Sequence, residues 1–165
     1  MGRSFDKQFR EFARQVRAAG LAGHVRYTWK GIGYRSYYRV LNDTDFLLPL
    51  ISPDSHATYF RSKSTSSIAA AVGFRVLPIV HEQLARHYSL GDVALTYTTD
   101  LLAAMRRALD LDDTELAARR SRLEAVRQHC LDESLRQLRE SITHVSTVRD
   151  ETAAPHSAIG GGRVY

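Results

Sequence analysis

A second cysteine is absent from this chain of 165 residues, where Cys130 stands alone, so an internal disulfide is excluded. Long apolar runs are absent as well, and the amino-terminal segment is charged where a secretory signal peptide carries an apolar stretch. A single thiol is consistent with a reducing compartment. We therefore expect a cytoplasmic protein without a membrane partner.

The sequence also lacks motifs for metals and nucleotide cofactors. His81 and Glu82 begin like the HExxH motif of zinc proteases, but Ala85 stands where that motif has its second histidine. The segment Gly31-Ile32-Gly33 lacks the third glycine of a dinucleotide-binding loop and the GK[ST] ending of a Walker loop. We accordingly expect no metal, no cofactor and no catalytic residue, which favours a function other than catalysis.

Positive charge is abundant by contrast, and it is concentrated in the amino-terminal part. Residues 1–63 carry eleven basic and five acidic residues, whereas residues 64–165 carry twelve and thirteen. Twenty of the basic residues are arginine, a bias that a GC-rich genome alone can produce. The uneven distribution favours contact between the amino-terminal part and a polyanion, with another role, such as assembly, for the rest.

The first predicted element is a helix over residues 5–19. Apolar residues follow one another there at helical spacing, Ser4 can cap the start, and Gly20 stands where such a helix would end. The apolar stripe would pack on the rest of the protein. The flank left outside carries three arginines, Arg10, Arg14 and Arg17.

The segment RYTWKGIGYRSYYRV, residues 26–40, combines aromatic rings and arginines around a turn bracketed by glycines. Residue types alternate over residues 24–30 and 34–40, which predicts an antiparallel β-hairpin. Since alternate residues of a strand share a face, most rings would pack against the first helix. The opposite, exposed face would carry Arg26, Lys30, Arg35, Tyr37 and Arg39.

Two more strands and two more helices are predicted in the middle of the chain. The segment FLLPLI, residues 46–51, contains a proline and indicates an edge strand or a buried extended segment, and residues 57–61 indicate a third strand. A polar run that includes Lys63 precedes a helix expected to reach Tyr88. The start of that helix can hold a phosphate, although a simple N-cap is the favoured role. A further helix is predicted over residues 92–109.

The longest helix is predicted to start near Asp112 and to run past residue 140, with acidic residues in its first turn. Five apolar residues follow one another there at steps of four and three, the spacing of a helix that packs on another helix: Leu131, Leu135, Leu138, Ile142 and Val145. Two partners remain open for this stripe. One is the protein's own core, and the other is a second copy, which would make the protein a homo-oligomer.

Together these elements predict a single α+β domain over residues 1–151, in which an amino-terminal helix and an antiparallel hairpin or small sheet precede a helical region. The basic α-β-β part covers residues 1–63 and the helical part residues 64–151. Residues 152–165, which contain a proline and three consecutive glycines, are expected to form a flexible tail.

The favoured function is non-enzymatic binding of RNA or DNA, because arginines neutralise phosphates and exposed rings stack on bases. The expected binding residues are those of the hairpin and their basic neighbours: Arg26, Lys30, Arg35, Tyr37, Arg39, Arg61, Lys63, Arg10, Arg14 and Arg17.

Two alternative functions remain. One is a self-assembling structural or interaction protein, such as a subunit of a phage particle, that uses the helix over residues 112–148. The other is a helical RNase of the HEPN type, since Arg139 and His144 fit its Arg-x4-His pattern. A chain this rich in arginine produces such pairs by chance.

Overall fold

The structure is a computed structural model. It describes the backbone of residues 2–26, 33–61 and 64–152, and the side chains of residues 9–26, 33–54, 56–61 and 64–143. The chain divides into two units, Met1–Arg127 and Gln128–Tyr165. The first unit contains the sheet, and the second contains the carboxyl-terminal part of a long helix.

Helix α1 (Gly2–Ala18) opens the first unit, as the apolar spacing predicts. A short 3-10 helix (Ala22–His24) follows, and helix α2 (Tyr34–Asn42) comes next. The predicted antiparallel hairpin is therefore wrong, because its second strand is helical. Its turn and most of its first strand, residues 27–32, lie outside the described residues.

The strands of the described residues form a parallel sheet, so the expectation of an antiparallel sheet is wrong. Strands β1 (Phe46–Leu47), β2 (Leu77–His81) and β3 (Leu95–Tyr97) lie in the order β1-β2-β3. Helical segments connect each strand to the next. Each connection brings the chain back to the end of the sheet where the preceding strand began, so the next strand runs in the same direction. Strand β1 lies at the edge, as predicted for residues 46–51.

The central strand β2 is buried along its whole length, which explains why its sequence, LPIVH, is an apolar run instead of an alternating pattern. An apolar run of this kind also suits a buried helix. The segment after the polar run, predicted as one helix that reaches Tyr88, in fact forms helix α4 (Ser66–Phe74), β2 and helix α5 (Glu82–His87).

Pro78 lies within this central strand, where a proline would normally remove a hydrogen bond of the ladder. The N–H of Leu77 donates to the carbonyl of Asp45 on the β1 side at 3.0 Å. Because successive N–H groups of a strand point to opposite sides, the nitrogen of Pro78 faces β3, whose pairing starts only opposite Ile79. The N–H group that proline lacks would therefore lie on the β3 side, before the pairing with β3 begins, so no hydrogen bond of the ladder is lost.

Two further segments differ from the predictions. Residues 57–61, predicted as a strand, contain a 3-10 helix (Ala57–Phe60) that follows the short helix α3 (Pro53–His56). The predicted helix over residues 92–109 is divided between β3 and helix α6 (Leu101–Leu109). The threonines and tyrosine before α6 favour a strand.

The long carboxyl-terminal helix is confirmed as α7 (Asp113–Thr152). The carboxylate of Asp112 accepts the backbone N–H of Glu115 at 2.8 Å, which is the bond expected of an N-cap. The predicted flexible tail lies outside the described residues from residue 153 onward.

Helices α1, α4 and α5 end in the same way. In α1, the N–H of Gly20 donates to the carbonyl of Arg17, and the N–H of Leu21 donates to the carbonyl of Val16. This pair of bonds requires one residue in the left-handed conformation, as in a Schellman motif. The left-handed residue is Gly20 after α1, with a φ of 75°, Arg75 after α4, with 58°, and Ser89 after α5, with 54°. Each is followed by a buried apolar residue.

Helices cover both faces of the sheet. On one face, Ile79 of β2 belongs to a buried cluster with Met105 of α6, to which α1 also contributes. On the other face, the neighbouring Val80 clusters with Leu84 of α5 and with residues of α4. The first unit is therefore a mixed helix-and-strand structure in which a short parallel sheet lies between helical layers.

Candidate nucleic-acid interface

Helix α2 carries two tyrosines one turn apart, Tyr34 and Tyr38, which share a face because residues four apart are neighbours on a helix. Their rings stack with centroids 6.2 Å apart and an interplanar angle of 29°. Tyr38 also stacks on Phe74, the last residue of α4, at 5.3 Å and 19°. The three rings form a stack whose end member, Tyr34, is 80% exposed.

Two arginines lie beside this stack on the same helix. Arg35 and Arg39 each follow a tyrosine by one residue, so they form a second column about 100° further around the helix axis. Both are exposed, and neither side chain has an ion-pair or hydrogen-bond partner within the part of the chain that the structure describes. The surface formed by Tyr34, Arg35, Tyr38, Arg39 and Phe74 is named here the tyrosine–arginine face.

Tyr37 is placed differently from the expectation. It was expected to offer an exposed stacking ring, but it is half-buried next to the buried Leu41 of the same helix face. Its ring is tilted by 51° against that of Tyr38, at a centroid distance of 5.8 Å. The rings available to a partner on α2 are therefore Tyr34 and Tyr38.

The arginines of α1 form a separate basic stripe, since Arg10, Arg14 and Arg17 are spaced at four and three residues and are all exposed. The guanidinium of Arg14 binds the carboxylate of Glu11, with Nε to Oε2 at 2.9 Å. This bond, with one from Gln15, lowers the pKa of Glu11 to about 2. Arg10 has no partner among the described residues, so the stripe keeps positive charge at one end.

The remaining predicted residues are dispersed. Arg26 lines a cavity of about 310 Å³ together with His24, Asp43 and Asp45. Arg61 is exposed at the end of the 3-10 helix after α3. Lys30 and Lys63 lie outside the described residues. The structure thus brings Arg35, Tyr37 and Arg39 together on α2 and the three arginines of α1 together on another helix.

At the carboxyl end of the sheet, where parallel sheets usually bind ligands, two polar side chains cap helices. Buried His81 ends β2, and its Nδ1 accepts the backbone N–H of Gln83 at 3.2 Å, which caps α5. Asp100 follows β3 and caps α6 by accepting the N–H of Ala103 at 2.8 Å. Across the described ranges, no group of three or more histidine, cysteine, aspartate or glutamate side chains is placed to hold a metal ion.

The start of α4, which the polar run around Lys63 marks, carries an ordinary N-cap. The hydroxyl of Thr65 accepts the N–H of Ser67 at 3.2 Å, and the N–H of Thr65 donates to the hydroxyl of Tyr88 at 2.9 Å. The side chain of buried Thr65 therefore acts as the N-cap of α4, the role that was favoured for this polar run.

Three residues of the tyrosine–arginine face were missed in the sequence: Tyr34, Tyr38 and Phe74. The signal for the first two is the repeated dipeptide in YRSYYR, where Tyr-Arg recurs after four residues and thus marks one side of a helix. Phe74 comes from a distant part of the chain, so only the folded structure brings it to the tyrosines.

Comparisons with known proteins identify no relative: no family model, no curated protein and no solved structure matches the chain. Among the helices of the described residues, none is both long enough and apolar enough to span a bilayer.

Proposed function

We propose that this protein binds nucleic acid, without catalysing a reaction on it, through the tyrosine–arginine face. The observation that carries the proposal is the juxtaposition of a stack of rings, exposed at Tyr34, with two exposed arginines that have no partner in the described part of the chain. Rings bind bases by stacking, and guanidinium groups bind phosphates, so one helix supplies both contacts.

Single-stranded RNA or DNA is the form of nucleic acid that this surface suits. Bases in a duplex are already stacked on one another, whereas unpaired bases are free to stack on aromatic side chains. Arg35 and Arg39 would then bind the phosphates that flank the stacked base. The exposed arginines Arg10, Arg26 and Arg61 would add further positive charge.

The test is the double substitution Arg35→Glu with Arg39→Glu. We expect the affinity for a labelled single-stranded oligonucleotide at low salt to fall by about 10-fold or more, because two phosphate contacts become repulsive. Both side chains are exposed, so the melting temperature should change little.

A matched control is Arg106→Glu on α6, compared with the single variant Arg39→Glu. Both replace an exposed helical arginine and change the net charge equally. Equal losses of affinity in these two variants would mean that only the total charge matters, and the tyrosine–arginine face would not be the binding site.

The HEPN-type alternative has no support beyond its spacing. Arg139 is exposed on α7, and the side chain of His144 lies outside the described residues, so no contact between the two is observed. Their separation in the sequence remains the sole argument for an RNase.

A further inference from the structure

A second exposed surface lies in the second unit, on α7. Its four apolar residues are spaced by four, three and four, and Leu131, Leu135, Leu138 and Ile142 are 43, 50, 56 and 58% exposed. Leu123, on the part of α7 that belongs to the first unit, is by contrast fully buried. The stripe is thus exposed, and it keeps the spacing of a helix that packs on another helix.

The charged residues on this part of α7 differ in whether they already have an ion-pair partner. Arg136 binds Glu133 of the same helix at 2.6 Å, and this bond is the main reason that the pKa of Glu133 is lowered to about 2. Asp132 and Arg139 lie directly beside the stripe, and neither has an ion-pair partner in the described part of the chain. The carboxylate of Asp132 accepts a hydrogen bond from the amide of Gln128 at 2.9 Å.

We propose that two copies of this chain associate along this stripe as an antiparallel pair of α7 helices, with Leu135 of each copy opposite Leu138 of the other. In this alignment Leu131 faces Ile142, so every apolar residue of the stripe faces an apolar residue. The contact is the same surface on both copies, as a closed twofold dimer requires.

The same alignment places opposite charges together. Asp132 lies between the first two apolar residues of the stripe, and Arg139 lies between the last two. Antiparallel packing therefore brings Asp132 of one copy next to Arg139 of the other, and the twofold symmetry repeats the pair. The two charges beside the stripe that lack an ion-pair partner thus become each other's partners.

A parallel pair fits these charges less well. It would bring Arg127 opposite Asp132 and Arg139 opposite the uncharged Ser134. Arg127 already binds Glu124 of its own helix at 2.9 Å. The antiparallel pair engages both Asp132 and Arg139, whereas the parallel pair leaves Arg139 without a partner.

We choose a second copy as the partner, instead of an unrelated protein, because the apolar spacing and the flanking charges of the stripe are both self-complementary. This dimer is independent of nucleic-acid binding, which the tyrosine–arginine face of the first unit would carry. Each proposal can therefore fail without the other.

The first test adds charge to the stripe of the full-length protein. Leu135→Asp with Leu138→Asp should convert a dimer to a monomer in sedimentation velocity, and the far-ultraviolet circular dichroism should keep its helical signal because both side chains are exposed. The control is Gln137→Asp with Thr143→Asp, which adds the same charge to α7 outside the stripe and should leave the dimer intact.

The second test reverses the charges beside the stripe. Asp132→Arg alone, or Arg139→Asp alone, should raise the dimer dissociation constant by roughly 10-fold, because two attractive contacts become repulsive. The double variant should restore wild-type affinity. In a parallel pair, Arg139→Asp would be neutral and the double variant would stay weakened.

Three outcomes would overturn the proposal. If the wild-type protein sediments as a monomer at every concentration tested, the proposed dimer does not form. A dimer that survives Leu135→Asp with Leu138→Asp uses a different surface. A dimer in which Arg139→Asp has no effect is not antiparallel in this alignment.

Discussion

At the scale of single residues, the exposed rings of α2 carry the strongest functional signal. Tyrosine has a large apolar surface, and Tyr34 leaves most of it in water although its ring is stacked on Tyr38. A ring held in place loses little further freedom when a base stacks on it, so binding keeps more of the stacking energy.

Two substitutions of Tyr34 distinguish the contribution of its aromatic ring to binding from that of its hydroxyl group. Tyr34→Ala should weaken single-strand binding by about 1 to 3 kcal/mol, the range for one stacked base, whereas Tyr34→Phe keeps the ring and should bind like the wild type. Fluorescence anisotropy with a short oligonucleotide measures both variants. If Tyr34→Ala binds like the wild type, the ring does not contact the nucleic acid.

Residues in the left-handed conformation are a second feature at this scale. Gly20 adopts it without cost, whereas Arg75 and Ser89 adopt it with a β-carbon that crowds the backbone. Apart from Gly20 itself and its two chain neighbours, no heavy atom lies within 4 Å of the place where a β-carbon would stand at Gly20, so backbone strain decides the effect of an added methyl group there.

Opposite substitutions at two helix ends should therefore have opposite effects on stability. Gly20→Ala should reduce the free energy of unfolding by about 1 kcal/mol, and Ser89→Gly should raise it by about 0.5 to 1 kcal/mol. Urea denaturation measures both. A stabilising Gly20→Ala would show that the end of α1 does not require a positive φ.

At the scale of helices and strands, the sequence predicts those elements whose signal is local. Helix α1 has regular apolar spacing and Gly20 at its end, and α7 has acidic residues in its first turn and a long polar exterior. Strand β2 was predicted as helix because a strand buried on both faces shows no alternation. Its parallel pairing joins segments far apart in the chain, so no local pattern specifies it.

The tyrosine–arginine face shows the same difference between what a local pattern predicts and what it does not. Arg35 and Arg39 were predicted to share an exposed face in a strand, and they share one in a helix, because residues four apart lie on one side of either element. Tyr34 and Tyr38 were assigned to the core because the strand pattern placed them on the face opposite the arginines. A helix places residues one apart at about 100°, so the rings and the guanidinium groups become neighbours on one surface.

Helix α7 should respond to substitution differently along its length. Leu123 is fully buried and belongs to a cluster with Leu77 and Val93, whereas Leu138 is exposed. Leu123→Ala should cost about 2 to 5 kcal/mol of stability, and Leu138→Ala should cost little when measured at a concentration where the protein is monomeric. Thermal denaturation of the two variants checks this, and equal losses would contradict the difference in burial.

At the scale of the whole molecule, charge and apolar surface are distributed between different parts of the chain. Residues 1–63 hold the excess of basic over acidic residues, and the tyrosine–arginine face draws four of its five members from that part. The exposed apolar stripe of α7 lies in the second unit, where acidic and basic residues are mixed. Such a division suits a protein that binds a polyanion with one part and a second copy of itself with another.

Binding of a single-stranded oligonucleotide across a salt series tests the central claim most directly, with the wild type and the variant Arg35→Glu with Arg39→Glu measured side by side. The logarithm of the wild-type association constant should fall linearly with the logarithm of salt concentration. The slope of the variant should be less steep by roughly 1.4, because each lost phosphate contact reduces the magnitude of the slope by about 0.7. No binding by the wild type at low salt, or identical slopes for the two proteins, would contradict the account.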